Sequence, residues 1–207
     1  MSVIRVPRRK NLRLAALISL AALFAGGASA ATPPGFTLGS PNVAVADPPV
    51  PRPNTPSCTV QLFSDFTFTD FSNHPYTYAP PTGCKGPWSK VVLEGDFSVT
   101  AGRQFDRTAS LWLAGANIYF GTTQEPSSAV APSWHIERDL TDFSSLLGSA
   151  QTGQAVLGNI VDNTYTGVIH GSARLVFYKS SLLVPAAQTP DVVYALSDGG
   201  AGSPVNL

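Results

Sequence analysis

Charged residues are scarce in this chain and unevenly distributed. The 207 residues include thirteen basic and thirteen acidic side chains. Five of the basic residues lie within the first thirteen positions, which leaves eight basic against thirteen acidic residues and a net charge of −5 in the remainder. Domains that bind nucleic acid present a basic face. The composition therefore excludes that class, and we expect no nucleic-acid partner.

Cysteine and histidine are too few and too scattered to predict a metal site. The two cysteines, Cys58 and Cys84, show no ligand spacing with His74, His135 or His170. The sequence also lacks a nucleophile elbow, a Walker loop, a zinc-protease helix and a Rossmann glycine pattern. We therefore expect neither a metal nor an organic cofactor.

The first thirty residues have the pattern of a secretory signal peptide. A basic region precedes an apolar run at residues 14–26, and residues 28–30 form a small-residue cleavage site. Arg8-Arg9 is compatible with the twin-arginine route, but Asn11 stands where an apolar residue is wanted, so general secretion is favoured. A retained membrane anchor is the alternative, although the run is short of the about 20 residues that span a bilayer. We expect an exported protein, secreted or periplasmic, with no membrane contact after cleavage.

Removal of this signal from 207 residues leaves 177, enough for one domain. Residues 31–57 are rich in proline and alanine and predict an extended lead-in. Residues 58–185 carry the regular patterns, and residues 186–207 read as a loop or truncated tail. In an exported protein an even pair of cysteines predicts a disulfide. A Cys58–Cys84 bond would stabilise the fold by about 3.5 kcal/mol.

Helical periodicity is nearly absent, and short apolar-polar alternations take its place. Seven strands are predicted at residues 59–68, 90–100, 109–113, 117–122, 133–139, 155–161 and 168–179. Gly115-Ala116 is expected to turn a hairpin, and residues 71–88 to form a long loop. Thr141 or Asp142 would cap one or two helical turns. This pattern predicts an all-β fold, an antiparallel β-sandwich of jelly-roll type.

Residues 102–107 read Gly-Arg-Gln-Phe-Asp-Arg and place Asp106 beside Arg107 where two predicted strands meet. A neighbouring guanidinium favours the ionised carboxylate, which suits a base or an electrostatic anchor. A salt bridge at the rim of the sandwich would explain the pair without any function. Asp162 and Glu125 also follow predicted strands. Carboxylates at strand ends form an acid/base site if they share one face, but they are also common in turns.

Several motifs occur in one order that closely resembles the N-terminal part of the peptide-N4-(N-acetyl-β-glucosaminyl)asparagine amidase A family, the plant-type glycoamidases. The matching stretches are residues 102–107, 112–113, 125–126, 139–147 and 157–167, together with the segment from Cys58 to Cys84. The resemblance implies hydrolysis of the amide between asparagine and the first N-acetylglucosamine of an N-glycan. It also implies a second jelly-roll domain that supplies part of the active site. We expect this chain to stop before that domain.

Phe105-Asp106-Arg107 also matches the aromatic-Asp-Arg catalytic motif of the more distant flavobacterial glycoamidase. The resemblance implies that Asp106 orients water and acts as the base. Arg107 would keep Asp106 ionised and bind carbonyl or sugar oxygens, and Asp162 would contact the first N-acetylglucosamine. The implied substrate-binding residues are Tyr165, Glu125, Trp112 and Asp65.

The sequence departs from the family pattern at two positions, and other interpretations stay open. Gly95 stands where relatives usually have tryptophan, and Ser64 where they often have histidine; each change is expected to thin a sugar-binding surface. Trp112, between Leu111 and Leu113, is equally compatible with a place in the core. The expected partner is an N-linked glycopeptide or glycoprotein. The alternatives are a non-catalytic glycan- or peptide-binding sandwich and a gene fragment without independent function.

Overall fold

The structure, a computed structural model, describes residues 49–195 of the chain. Eight β-strands lie within that range: β1 (Ser57–Phe68), β2 (His74–Tyr78), β3 (Trp88–Val99), β4 (Thr108–Leu113), β5 (Ala116–Thr122), β6 (Ser133–Asp139), β7 (Gln151–Leu157) and β8 (Ile169–Lys179). The predicted signal peptide, most of the lead-in and the end of the tail fall outside the described residues. Between residues 49 and 195, no helix has the length and apolar character needed to cross a membrane.

The strands form two four-stranded antiparallel sheets. One sheet has the order β1-β8-β3-β6 and the other has the order β2-β7-β4-β5. This is the strand order of an eight-stranded jelly roll, so the predicted fold class is confirmed. Because neighbouring strands run in opposite directions, the connections β1–β2, β3–β4, β5–β6 and β7–β8 all emerge at the same end of the sandwich.

The core lies between the sheets and follows the alternation of the sequence. In β3, the side chains of Val91, Leu93 and Phe97 are buried, whereas the alternate Glu94 and Asp96 face outward. The neighbouring strand β8 adds apolar side chains to the same cluster, and strands β4 and β7 of the second sheet contribute the facing ones. Complete burial of one such side chain contributes about 1.5–3 kcal/mol, so this alternation selects which face of each strand turns inward.

Gly95 is part of this core and does not lie on an outer surface. A Cβ atom at this position would lie 2.9 Å from Cγ1 of Ile136 and 2.9 Å from Cε2 of Phe97. The expectation that Gly95 thins a sugar-binding surface is therefore wrong. The space that a larger side chain would need is already filled by Ile136 and Phe97.

Two strand predictions needed correction. Strand β2 lies inside residues 71–88, which were predicted as a loop. Pro75 reads as a turn signal, but β2 is an edge strand, where a missing backbone donor is tolerated. Strand β7 begins at Gln151 and ends at Leu157, four residues earlier at each end than predicted. Beyond Leu157 the chain leaves the sheet, because the backbone N–H of Asn159 donates to the carbonyl of Asp70 instead.

Two turns also differ from prediction in detail. The β4–β5 hairpin turns at Ala114-Gly115, one residue earlier than predicted, and both residues have positive φ (51° and 77°), as a tight hairpin turn requires. The predicted helical segment forms two 3-10 turns, Thr141–Phe143 and Leu146–Gly148. Neither Thr141 nor Asp142 caps them. The carboxylate of Asp139 accepts the backbone N–H of Thr141 at 3.0 Å.

The predicted disulfide is confirmed. Cys58 and Cys84 are bonded, and their Cα atoms lie 6.0 Å apart. The bond ties the start of β1 to the β2–β3 connection. Trp88 Nε1 donates to the carbonyl of Cys84 at 2.6 Å, and Tyr78 donates its hydroxyl to the carbonyl of Leu147 at 2.7 Å. These contacts close the end of the sandwich opposite the four connections described above.

The outer face of the first sheet carries a charge network that includes the end of the lead-in. The guanidinium of Arg52 pairs with Glu94 at 2.6 Å and with Glu137 at 2.8 Å. His135 Nδ1 lies 2.6 Å from Asp96 and its Nε2 lies 3.3 Å from Glu137. Residues 50–52 therefore pack on the sheet and belong structurally to the sandwich.

Candidate active site

The four connections at one end of the jelly roll meet and bond to one another. They comprise residues 69–73, 100–107, 123–132 and 158–168, and we call this region the loop end. The carbonyl of Arg103 accepts the backbone N–H of Thr166 at 2.9 Å, and the N–H of Gly102 donates to the carbonyl of Ser127 at 2.9 Å. Segments that are far apart in sequence thus form one surface, and this surface contains most of the candidate site residues.

The Gly-Arg-Gln-Phe-Asp-Arg segment needs its first glycine to reach this surface. Gly102 has φ of 148°, and a Cβ atom there would collide with the hydroxyl of Thr166. At the other end, the backbone N–H of Arg107 donates to Thr123 Oγ1 at 2.8 Å, and the N–H of Thr123 donates to the carbonyl of Arg107 at 2.8 Å. The segment is therefore fixed on both sides of Asp106.

Asp106 and Arg107 do not pair with each other. Nη2 of Arg107 donates to Oε1 of Gln104 at 2.6 Å. The carboxylate of Asp106 is exposed and makes no hydrogen bond or ion pair with any residue between 49 and 195. Neither the predicted support of Asp106 by Arg107 nor a rim salt bridge is formed. Gln104 offers a buried acceptor, and leaving such a group unpaired would cost about 1–3 kcal/mol.

An aromatic pair lies beside Asp106. The ring centroids of Phe105 and Tyr165 are 5.6 Å apart, with the rings tilted. Arg103 lies over the Tyr165 ring at 5.3 Å, and Arg107 lies 5.8 Å from the centre of the Phe105 ring. Phe105 is 44% exposed, so part of its ring is available to a ligand. Sequence reasoning proposed Tyr165 but missed Phe105, whose position beside Asp106 in the motif was the available signal.

Asp162 is exposed at the loop end, but one of its oxygens is already engaged. Oδ1 accepts the backbone N–H groups of Thr164 and Tyr165, each at 2.7 Å. These bonds, first from Tyr165 and then from Thr164, lower the pKa of the Asp162 carboxyl below its usual range. The carboxylate thus shapes the turn that presents Tyr165. No residue in the described part of the chain bonds to its second oxygen, which can therefore accept a bond from a ligand.

Glu125 lies on the third connection of the loop end. It is exposed, next to the buried Pro126, and has no side-chain partner within the described range. Asp106, Glu125 and Asp162 therefore lie at one end of the sandwich. No hydrogen bond links any two of them.

Trp112 and Asp65 lie away from this group. Trp112 is half-buried near the β4–β5 turn, and its Nε1 donates to Ser110 Oγ at 2.9 Å. At about 3.3 Å per residue, it is about 13 Å along β4 from the loop end. Asp65 lies on the outer face of the first sheet with φ of 51°, and its Oδ1 is 3.2 Å from His170 Nδ1. It borders a shallow cavity of about 220 Å³ that also includes Asp96.

A larger cavity of about 610 Å³ lies at the opposite, disulfide-bonded end of the sandwich. Its walls include Pro80, Pro87, Ser145 and Asp191, and none of the candidate site residues lines it. For the part of the chain from 49 to 195, no group of three or more His, Cys, Asp and Glu side chains is arranged to hold a metal ion. The loop end therefore remains the region where candidate catalytic groups converge.

The chain is a jelly-roll domain whose loop end displays exposed carboxylates, two guanidinium groups and a pair of aromatic rings. It belongs to the peptide N-acetyl-β-D-glucosaminyl asparaginase amidase A family, whose model matches residues 47–206. The family resemblance inferred from the sequence is therefore confirmed.

A curated relative supports the same family. The chain is 37% identical over 134 residues to the peptide-N4-(N-acetyl-beta-glucosaminyl)asparagine amidase A of Prunus dulcis. That match covers 63% of this chain and 23% of the relative. The chain thus spans about a quarter of the length of the almond protein.

Likenesses to solved structures are weak. A structure of the infectious bursal disease virus Gx strain has a TM-score of 0.37 and 8% identity, covering 66% of this chain and 35% of that one. The CBM36-1 domain of a multidomain xylanase from the hindgut metagenome of Trinervitermes trinervoides has a TM-score of 0.32 and 10% identity, covering 58% of this chain and 96% of the domain. Likenesses at this level carry no functional argument.

Proposed function

We propose that this chain supplies the N-terminal domain of an exported glycoamidase that hydrolyses the amide between asparagine and the first N-acetylglucosamine of N-glycans. The observation that carries the proposal is the segment 102–107, which resembles a motif of the family to which the chain belongs and which is held at the loop end with the Asp106 carboxylate exposed to solvent. The disulfide is of the kind that persists in oxidising compartments and supports export. N-terminal sequencing of exported protein should begin at Ala31.

The chemistry requires an activated water and a polarised carbonyl, because the amide is unreactive. Asp106 is suited to accept a proton from water, since no residue between 49 and 195 bonds to its carboxylate. The water oxygen adds to the asparagine side-chain carbonyl, and the bond to the glycan nitrogen breaks as this nitrogen takes up the proton that Asp106 accepted. The products are an aspartate-containing peptide and a 1-amino sugar, which then loses ammonia in water. No cofactor takes part in this scheme.

Arg107 is suited to bind the oxygen that gains charge. Its Nε is buried and has no hydrogen-bond partner in the described part of the chain. The residue as a whole is only half-buried, so a substrate oxygen would be bound by the remaining guanidinium N–H groups through charge-assisted hydrogen bonds. Phe105 and Tyr165 offer ring faces for a sugar, and the second oxygen of Asp162 offers an acceptor for its hydroxyl or amide groups.

The domain is expected to be incomplete on its own. The match covers 23% of the almond relative, and residues outside that match would supply the rest of the site. We therefore expect the purified 207-residue chain to release little or no glycan. A second jelly-roll domain in longer relatives is the proposed source of the missing groups.

Asp106→Asn is the decisive test. In a full-length relative carrying this motif, the substitution should reduce turnover by about 10²-fold or more, the usual effect of losing a positioned base. Glycopeptide affinity and melting temperature should change much less, because asparagine keeps the shape. Turnover is measured by mass spectrometry as conversion of the glycosylated asparagine to aspartate.

The matched control is Asp142→Asn, which removes an exposed carboxylate at the opposite end of the sandwich. It should leave turnover unchanged. If folded Asp106→Asn protein turns over at the wild-type rate, Asp106 is not the base. A lower melting temperature with unchanged turnover per folded molecule would instead assign Asp106 a structural role.

A non-catalytic glycan-binding sandwich is the second candidate. The partly exposed Phe105–Tyr165 ring pair favours it, because ring faces bind sugars without any need for an acid or a base. Glycopeptide binding by this chain, combined with no asparagine-to-aspartate conversion by full-length relatives, would support this function over the first.

A further inference from the structure

Gln104 occupies a central position that neither the motif nor the proposed mechanism explains. Its side chain is 2% exposed and makes four hydrogen bonds. Oε1 accepts Nη2 of Arg107 at 2.6 Å and the backbone N–H of Phe105 at 3.0 Å. Nε2 donates to the carbonyl of Ile160 at 2.7 Å and to that of Gly167 at 3.2 Å. Both donors and both acceptor sites of the amide are therefore used.

We propose that Gln104 is a positioning residue that fixes the guanidinium of Arg107 at the loop end and ties it to the connection that presents Asp162 and Tyr165. The inference rests on the proposed function, in which Arg107 binds a substrate oxygen. Gln104 itself lies beneath the surface and acts through Arg107.

This arrangement depends on the Gln104 amide being uncharged. A guanidinium next to a solvent-exposed carboxylate has an obvious alternative partner in Asp106. Gln104 holds Arg107 with a charge-assisted bond but does not neutralise it. As a result Arg107 keeps its positive charge for a substrate oxygen, and the carboxylate of Asp106, which has no partner among residues 49–195, stays available to water. Without Gln104, Arg107 would be free to turn towards Asp106 and block both groups.

The packing around Gln104 holds its side chain close to the connection between β7 and β8. A Cβ atom on Gly167 would lie 2.8 Å from the Cβ of Gln104, so the two segments approach as closely as a glycine permits. The hydrogen bond from Gln104 to the carbonyl of Ile160 is a second contact with this same connection. Any change of the Gln104 side chain is therefore expected to have a structural cost as well, and the test must separate the two effects.

Asn159 provides a matched control. It is fully buried at the same junction, and its Nδ2 donates to the carbonyls of Phe68 at 2.9 Å and Gly167 at 3.2 Å. It thus makes the same kind of structural bonds as Gln104, one of them to the same carbonyl, but it does not contact Arg107. Asn159→Leu reports the structural cost alone.

The experiment uses Gln104→Met, Gln104→Glu and Asn159→Leu, with the affinity of the purified chain for an N-glycopeptide measured by calorimetry. Gln104→Met and Asn159→Leu should both lower the melting temperature. Gln104→Met should weaken binding by about tenfold or more, the usual scale for a hydrogen bond to a charged group. Asn159→Leu should leave the affinity of folded molecules nearly unchanged. Gln104→Glu keeps an acceptor for Arg107 but neutralises its charge and removes the donors to Ile160 and Gly167, so it should also weaken binding; wild-type affinity in Gln104→Glu would overturn the argument from the neutral amide.

A double-mutant cycle with Arg107→Met tests whether Gln104 acts through Arg107. If it does, Gln104→Met should cause no further loss of affinity in the Arg107→Met background. Independent, multiplying effects would overturn the proposal. So would Gln104→Met protein that binds as well as Asn159→Leu protein.

A measurement without substrate keeps this inference separate from the proposed function. The ¹⁵N side-chain signals of Arg107, identified by their loss in Arg107→Met, should indicate a guanidinium with restricted rotation. That restriction should disappear in Gln104→Met and persist in Asn159→Leu; an unchanged signal in Gln104→Met would refute the positioning role. If the wild-type chain shows this restriction but binds no glycopeptide and full-length relatives release no glycan, the proposed function fails while the contact to Arg107 stands.

Discussion

Replacing Glu137 with glutamine should lower the free energy of unfolding at neutral pH. It should also make the decrease of that free energy with falling pH less steep. Glu137 is 4% exposed, and its carboxylate accepts bonds from the backbone N–H of Val50 at 2.6 Å and from Arg52 at 2.8 Å and 3.0 Å. Burial alone raises the pKa of this carboxyl. Bonds from His135, Arg52 and Val50 outweigh burial and lower the pKa from 4.5 to about 2.

The magnitude follows from this shift. A carboxyl whose pKa falls from 4.5 in the unfolded chain to about 2 in the folded chain contributes about 3 kcal/mol of stability at neutral pH. Because the folded pKa is the lower one, this contribution is fully present above pH 4.5 and is lost as the pH falls towards 2. Glu137→Gln removes the titrating group, so the variant should be about 3 kcal/mol less stable at neutral pH and have a shallower acid limb.

His135 contributes with the opposite sign. Burial lowers its pKa, but the carboxylates of Asp96 and Glu137 raise it from 6.5 to about 9. Its contribution is therefore present below pH 6.5 and is lost as the pH rises through 9. In Glu137→Gln the imidazolium loses one carboxylate partner, so the alkaline loss of stability should begin at lower pH.

The assay is urea unfolding of the wild-type chain, Glu137→Gln and the exposed control Asp142→Asn across acid, neutral and alkaline pH. The control should follow the wild-type curve. If Glu137→Gln loses stability in acid as steeply as the wild type, Glu137 is not the source of the acid limb and the reasoning from its contacts is refuted.

Three further outcomes are expected. Replacing both Cys58 and Cys84 with serine should lower the free energy of unfolding by about 3.5 kcal/mol in urea; an unchanged value would contradict a role in stability. Gly102→Ala should lower the free energy of unfolding by more than about 1 kcal/mol, because Gly102 has a φ of 148° and its added Cβ would meet the Thr166 hydroxyl. Gly148→Ala is the control and should lower it much less in the same assay, because no described atom lies within 4 Å of a Cβ at that position. Asp162→Ala should weaken glycopeptide binding more than Asp162→Asn, because only asparagine can still accept the N–H groups of Thr164 and Tyr165; equal losses in calorimetry would mean that the charge itself contacts the ligand.

The local sequence pattern was sufficient to predict most of the strands and the fold class. Strands β3, β4 and β6 alternate apolar and polar residues, and burial of the apolar set determines which face turns inward. Strand β2 was missed because Pro75 resembles a turn signal and only its edge position makes it acceptable. The start of β7 was missed because Gln151 to Gln154 carry few apolar side chains.

The candidate site was predictable only in part. The motif at residues 102–107 identified Asp106 and Arg107 and the connection on which they lie. Their relation to each other was not predictable, because the partner of Arg107 is chosen by which acceptor is buried nearby, and that acceptor is Gln104. The alternating acidic residues of β3 and β6 give a weak indication of the charge network on the first sheet. Its basic member Arg52 could not be predicted, because it lies 85 residues from Glu137 in the chain.

The sequence by itself determined the strands with clear alternation, the jelly-roll class, the cysteine pair and the family, because each depends on local order or on residue type. The tertiary structure decided that Gly95 belongs to the core and that Trp112 lies far along β4 from Asp106. It also decided that Gln104 holds Arg107, while Asp106 has no hydrogen-bond or ion-pair partner among residues 49–195. These outcomes depend on which segments the two sheets bring together, and contacts between distant segments leave no period or spacing in a single chain.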